Sequence, residues 1–229
     1  MELNKFLEKV KNDCTLAGVE LVISPGKRVY YQNICCNGYF EPEYPIELTK
    51  ENILDSSPMK RDFKFSGQTK KVLAASSGGK SEFDFFSLLA HEYSHMCQYI
   101  ENSPYWMSTE DFLIWEDWLS KSEIKKDIKE IIPVWEKVVM LEADCELRVI
   151  KLIETLNLPI NKEQYAKTAN SYLFFHHWSL ENQSWYNKAP YEIPKIVESM
   201  PPKLFDKPQD YINKELMNNE IFTMFNECK

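Results

Sequence analysis

The spacing of apolar residues predicts a chain that begins with a helix, continues through short strands and ends in helices. Apolar residues recur at intervals of three or four over 2–16, which is the period of an amphipathic helix. Strands are predicted over 19–23, over 28–32 as its hairpin partner, over 46–48 and over 70–76, with 33–40 a strand or a loop. Pro42 and Pro45 are expected to interrupt the extended chain, and residues 49–69 are expected to be irregular, with a breaker at 56–58.

Helical spacing dominates the rest of the chain. Helices are predicted over 83–101, over 109–120, from Pro133 to 157, from Asn161 onward and over 208–218, with a charged, solvated stretch from 122 to 132. Ser81, with Asp84 three residues on, is expected to cap the first of them. The pattern predicts a single α+β domain over 1–229, with a strand-rich part at 19–76 and a helical part at 81–229. Its small twisted sheet, antiparallel or mixed, would pack on a helical bundle.

A histidine pair forms the chemically most specific pattern in the chain. His91 and His95 are two of only four histidines, and with Glu92 they form an H-E-x-x-H motif inside the predicted helix 83–101. Side chains four residues apart lie on one face of a helix, so both imidazoles can bind one zinc ion. Glu92 sits beside the first histidine, where it can take a proton from a water held by the metal. The alternative is a pair of polar core histidines beside a surface glutamate.

Zinc held by two histidines of one helix needs a further protein ligand, and a glutamate is a known third ligand of catalytic zinc. Glu142 lies on or beside the apolar stripe of the long helix, where an unpaired carboxylate is costly and a metal would supply its positive partner. We therefore select Glu142, with Glu146, His176 and His177 as alternatives. If Glu142 binds the metal, Glu146 one turn on can accept a hydrogen bond from a liganding histidine. Otherwise the stem of Glu142 packs while its head reaches solvent.

Tyr172 and His176 share a face of the helix predicted from Asn161, together with Tyr165. A tyrosine or histidine facing the metal could polarise a scissile carbonyl and stabilise the oxyanion, so both are candidate catalytic residues. Aromatic residues at helical spacing are more often part of a core, so the alternative is that Tyr172 and His176 are core residues.

The strand immediately before the motif helix is a candidate for binding an extended substrate. An exposed strand edge can pair with any peptide backbone, and residues 72–75 would provide that edge. An ordinary core strand at the same place is an equal alternative.

Charge and cysteine content narrow the function classes. The net charge is −8 and no cluster of basic residues stands out, which argues against a nucleic-acid partner. No apolar run reaches the length of a membrane span, and residues 1–6 lack the features of a signal peptide, so a cytoplasmic protein is expected. The six cysteines form no C-x-x-C pair and are expected to be reduced. The oligomeric state does not follow from the sequence.

The motif residues resemble a known enzyme group. H-E-x-x-H at 91–95 with a glutamate on a later helix is similar to the gluzincin arrangement of zinc metallopeptidases. The stretches at 38–40, 91–98, 142–148 and 169–172 resemble, more closely, metallopeptidases encoded in bacteriophage genomes. The resemblance implies a zincin-like fold, a water activated by Glu92, Zn²⁺ held by His91, His95 and one glutamate, and action in an infected host's cytoplasm. Gluzincins usually place an acidic residue, most often aspartate, four residues after the liganding glutamate, and here that place is held by Glu146.

The sequence therefore predicts a zinc-dependent metallopeptidase that hydrolyses peptide bonds of a peptide or protein substrate. Two rivals remain at this stage. One is a zinc hydrolase that acts on an amide bond of a non-protein substrate. The other is an inactive zincin scaffold that binds a host protein through its acidic, aromatic-rich surface.

Overall fold

The structure is a computed structural model that describes residues 2–31, 34–55, 66–120, 127–213, 215 and 219–229. Its α-helices are α1 (Glu2–Ala17), α2 (Lys50–Leu54), α3 (Glu82–Ile100), α4 (Thr109–Leu119), α5 (Ile128–Thr155), α6 (Lys162–Asn182), α7 (Pro194–Ser199) and α8 (Asn219–Met224). Its strands are β1 (Val19–Ser24), β2 (Val29–Tyr31), β3 (Ile34–Cys36), β4 (Gly38–Pro45) and β5 (Thr69–Ser76). The described chain is thus α+β with a small mixed sheet, as predicted. No helix in the described ranges is both long enough and apolar enough to cross a membrane.

The chain divides into two compact units. The first consists of Met1–Asn102 and Lys151–Ile160, and the second of Ser103–Ile150 and Asn161–Lys229. The five described strands and α3 therefore belong to the first unit, whereas α4, most of α5 and α6 belong to the second. The prediction of one domain stays a prediction.

A three-stranded sheet with the order β1-β5-β4 forms the centre of the first unit. β5 pairs in parallel with β1 and antiparallel with β4, and its residues 72–75 are completely buried. A strand that is covered on both faces carries a continuous apolar run, as β5 does. The prediction that 72–75 provides a free edge is therefore wrong, and the alternative of a core strand is confirmed.

The predicted hairpin between the first two strands does not form. β2 pairs with β3, not with β1. The turn after β1 instead binds the loop after β5: the Ser77 N–H donates to the Ser24 carbonyl at 2.8 Å, and the Gly78 N–H donates to the Gly26 carbonyl at 2.9 Å. Because these bonds tie the turn to β5, they favour the parallel pairing of β1. The end of the predicted partner, residue 32, lies outside the described residues.

The stretch after β3 is more regular than predicted. β4 continues through Pro42 to Pro45, because Pro42 falls in the register shift between Glu41 and Tyr44, where a missing N–H breaks no ladder bond. Residues 46–48, predicted as a strand, form a turn. α2 then occupies part of the stretch predicted to be irregular, and the breaker predicted at 56–58 lies outside the described residues.

The helices follow their sequence signals more closely. α3 begins as predicted, with the Ser81 hydroxyl accepting the Asp84 N–H at 3.1 Å, and α6 begins with Asn161 accepting the Gln164 N–H at 3.0 Å. α5 starts at Ile128, earlier than the predicted Pro133. The predicted helix 208–218 is represented by a 3-10 turn over Pro208–Ile212, and its residues 214 and 216–218 are outside the described chain. Residues 122–126 of the predicted solvated stretch also lie outside the described residues.

Candidate metal centre

The two motif histidines converge on α3. Their Nε2 atoms lie 3.1 Å apart, and their ring planes are nearly perpendicular, at 86°. His95 is buried and His91 is half-buried. Two nitrogen ligands of a tetrahedral zinc ion, each about 2.05 Å from the metal, lie roughly 3.3 Å apart. The pair therefore already has nearly the spacing that a shared ion requires.

Gln98 fixes the orientation of His95. Its Oε1 lies 2.8 Å from His95 Nδ1, and Gln98 is completely buried. An amide oxygen only accepts hydrogen bonds, so Nδ1 carries the proton and the lone pair of His95 lies on Nε2, facing His91. Metal-binding histidines commonly donate their other ring N–H in this way. Gln98 was not among the predicted site residues, although its place three residues after His95 puts both on neighbouring positions of one helix face.

The arrangement also has a metal-free explanation. A neutral His91 can donate its Nε2–H to the lone pair of His95 Nε2, which accounts for the 3.1 Å distance as a hydrogen bond. Both explanations require the same tautomer of His95. They differ in the proton on His91 Nε2, which a bound cation would displace, so metal content distinguishes them.

Glu92 is not a surface glutamate. Only 6% of it is exposed, and its carboxyl group lies against the first residue of β4: an added Cβ at Gly38 would be 2.9 Å from Glu92 Oε1. Burial, together with the negative charge of Glu92, raises the pKa of the Cys36 thiol to about 12. The Glu92 carboxylate is therefore directed towards the junction of β3 and β4.

Tyr172 and His176 lie together in the second unit, with ring centroids 4.9 Å apart. His176 is 1% exposed, and neither of its ring nitrogens has a hydrogen-bond partner within the described ranges. Burial lowers the pKa of His176 to about 4, although the negative charge of Glu142 acts in the opposite direction. Burial raises the pKa of Tyr172 well above its ordinary value, and the charge of Glu142 adds to this. At neutral pH His176 is therefore a neutral imidazole and Tyr172 a neutral phenol.

Glu146 has a tyrosine partner that was not predicted. The Tyr165 hydroxyl donates a short hydrogen bond to Glu146 Oε2, and both side chains are buried. Burial raises the pKa of Tyr165 well above its ordinary value, and the charge of Glu146 adds to this. The expected hydrogen bond from a liganding histidine to Glu146 stays a prediction. The position of Tyr165 on one helix face with Tyr172 was the available signal.

His177 is held by the backbone. Its Nε2 lies 2.7 Å from the carbonyl oxygen of Tyr211, and a carbonyl only accepts, so this nitrogen carries a proton. His177 Nε2 is therefore not available as a metal ligand, which weakens the alternative in which His177 completes the site. The ion pair predicted between Asp144 and Arg148 is confirmed, with 2.9 Å between Arg148 Nε and Asp144 Oδ2.

Within the first unit the structure brings together His91, Glu92 and His95 with Gln98 and Gly38. Within the second it brings together Glu142, Glu146, Tyr165, Tyr172 and His176. No protein-family model, curated protein or solved structure matches the chain. The likeness to gluzincins therefore rests on the motif residues themselves.

Proposed function

We propose that this protein is a zinc-dependent, zincin-like metallopeptidase. The observation that supports the proposal is the convergence of His91 Nε2 and His95 Nε2 at 3.1 Å on a helix that buries Glu92 beside them. Two imidazole nitrogens, one of them with its lone pair fixed by Gln98, suit Zn²⁺, which is bound by N, O and S ligands in tetrahedral sites. When bound, zinc supplies a Lewis acid that polarises a substrate carbonyl.

The side chains have separable tasks in this proposal. His91 and His95 hold the ion, and Gln98 keeps His95 in the binding tautomer. Glu92 takes a proton from the attacking water and returns it to the leaving amine. Tyr172, which burial keeps protonated, donates a hydrogen bond to the oxyanion with His176 beside it.

The third ligand is proposed to come from α5. Glu142, Cys145 and Glu146 lie within one turn of this helix, and Glu142 remains our choice because the Glu146 carboxylate already accepts the Tyr165 hydroxyl. Cys145 is buried, and thiolate is also a zinc ligand, so it is a second candidate.

The corrected sheet order moves the proposed substrate-binding edge from β5 to β4. Among the strands that the structure describes, β4 has a neighbour on one side only, and its first residue, Gly38, lies beside Glu92. An extended peptide paired with this edge would place a scissile bond near the general base.

The proposal is tested on protein purified without a histidine tag. We expect about one zinc per chain by elemental analysis and cleavage of a library of denatured proteins. Glu92→Gln should keep the metal and lose activity by about 10²–10⁴-fold, the usual contribution of a general base. Glu101→Gln is the matched control, because Glu101 is an exposed residue at the end of the same helix.

Three outcomes would contradict the proposal in different ways. Protein without zinc refutes the metal site. Activity that survives Glu92→Gln refutes the role of Glu92. If neither protein cleaves any substrate and both capture the same host protein, the inactive scaffold is the better description.

A further inference from the structure

Gly38 lies at the point where the sheet meets the buried carboxyl group of α3. It is the first residue of β4 and pairs with Ala75 of β5. An added Cβ there would lie 2.9 Å from each of three atoms: the Ala74 carbonyl oxygen, Glu92 Cγ and Glu92 Oε1. These distances are well below the roughly 3.5–4.0 Å at which carbon atoms pack favourably.

The backbone at Gly38 does not itself require glycine. The described glycines with positive φ are Gly18, Gly67 and Gly79, so Gly38 adopts a conformation open to other residues. A glycine inside a strand is destabilising by about 0.5–1 kcal/mol relative to alanine. What glycine provides at this position is therefore space, and that space is filled in part by the Glu92 carboxyl group.

We propose that Gly38 is a positioning residue for Glu92: the missing side chain leaves the space in which the carboxylate is held for proton transfer. This inference rests on the proposed function. Cys36, two residues earlier, supports the placement, because burial and the charge of Glu92 together keep its thiol protonated at neutral pH. The carboxylate thus lies against the bare Cα of Gly38, and its charge acts on the neutral thiol of Cys36.

The three atoms nearest to a methyl group at position 38 include Glu92 Cγ and Oε1 and no atom of the histidine pair, so the carboxylate is displaced first. Misplacement of a catalytic group by about 1 Å can lower a rate by about 100-fold. We expect Gly38→Ala to lower kcat by about 10–100-fold, with KM changed less than about threefold and zinc content unchanged.

The methyl group would also meet the Ala74 carbonyl, and a double-mutant cycle separates the two contacts. Glu92→Asp withdraws the carboxylate by one methylene and so relieves only the contact with Glu92. In the Glu92→Asp background we expect Gly38→Ala to change kcat by less than about twofold, because the carboxylate no longer occupies the contested space. Gly78→Ala is the control, since the three atoms nearest to its methyl group would all be backbone, the first of them the Pro25 carbonyl oxygen at 2.2 Å. It should lower the unfolding temperature while the kcat of the folded protein is retained.

If the activity of Glu92→Asp is too low to measure, the double-mutant cycle is made with Gly38→Ala and Glu92→Ala, and the unfolding temperature is measured. The decrease in unfolding temperature caused by Gly38→Ala should then be smaller in the Glu92→Ala background than in the wild type. An equal cost of Gly38→Ala in both backgrounds, in kcat or in unfolding temperature, overturns this inference and leaves the proposed function intact. A wild type without Glu92-dependent activity overturns both.

Discussion

His176 should make the second unit sensitive to mild acid. Its imidazole is buried among the rings of Trp115, Tyr172 and Trp185. Burial lowers its pKa from 6.5 to about 4, so the folded protein resists protonation in a range where the unfolded chain accepts a proton. A depressed folded-state pKa makes stability greatest above pH 6.5. It is then lost progressively as the pH falls towards 4.

The magnitude follows from the two pKa values. Between pH 7.5 and pH 5, the free energy of unfolding should fall by about 2 kcal/mol because of His176 alone. The full loss, reached below pH 4, is about 3 kcal/mol. His176→Phe removes this dependence, and it also removes two ring nitrogens that lack hydrogen-bond partners among the described residues. Replacing unsatisfied polar atoms by an apolar group of similar shape is close to neutral or stabilising, so the variant should be at least as stable at pH 7.5.

The assay is urea denaturation at pH 5.0, 6.0 and 7.5, followed by tryptophan fluorescence, since Trp115 and Trp185 lie beside His176. The three other histidines are present in both proteins, so the difference between the two pH curves isolates His176. Wild type should lose about 2 kcal/mol more than His176→Phe between pH 7.5 and 5. Parallel curves for the two proteins would show that His176 titrates normally, and would refute the argument from burial.

Two further predictions concern the metal. Gln98→Leu should weaken zinc binding by about 10–100-fold in chelator competition. Gln98→Glu should retain the affinity for zinc, because a carboxylate still accepts the His95 Nδ1–H. Equal zinc affinities for the two variants would contradict the role of Gln98. The third ligand is tested by measuring the zinc content of three variants, Glu142→Ala, Cys145→Ser and Glu146→Gln. We expect zinc to be lost only in Glu142→Ala, and loss in another variant instead would assign the third ligand to that residue.

Local signals predicted most helices and located β1 and β5, but they missed how the strands pair. The caps at Ser81 and Asn161 and the apolar period over 2–16 act within a few residues, so the sequence alone locates α1, α3 and α6. Strand partners are chosen over long sequence distances: β1 pairs with β5 about 50 residues later. The turn after β1 has the sequence of a hairpin turn. Only the hydrogen bonds from the N–H groups of Ser77 and Gly78 show that this turn binds the loop after β5.

The part of the candidate site that lies on one helix was predictable, and the part that depends on the fold was not. The spacing of His91 and His95 is a property of one helix, so their convergence could be expected. Gln98 could have been predicted in the same way, because it follows His95 by three residues on that helix. Gly38 was not, because it meets Glu92 only through the order of β4 and β5. Tyr165 was placed on the correct face, but its bond to Glu146 depends on how α5 and α6 pack.

The surroundings of Glu92 favour a functional site over a structural pair of histidines. A pair that served only packing would need neither a buried carboxylate nor a glycine beside it, and glycine in a strand lowers stability. Here both occur at one contact, where Glu92 Oε1 fills the space left by Gly38. The Gln98 bond adds a fixed tautomer on the same helix. Features that packing does not need and that support each other are typical of sites selected for chemistry. The hydrogen-bonded, metal-free pair explains the Gln98 bond but neither the buried carboxylate nor the glycine.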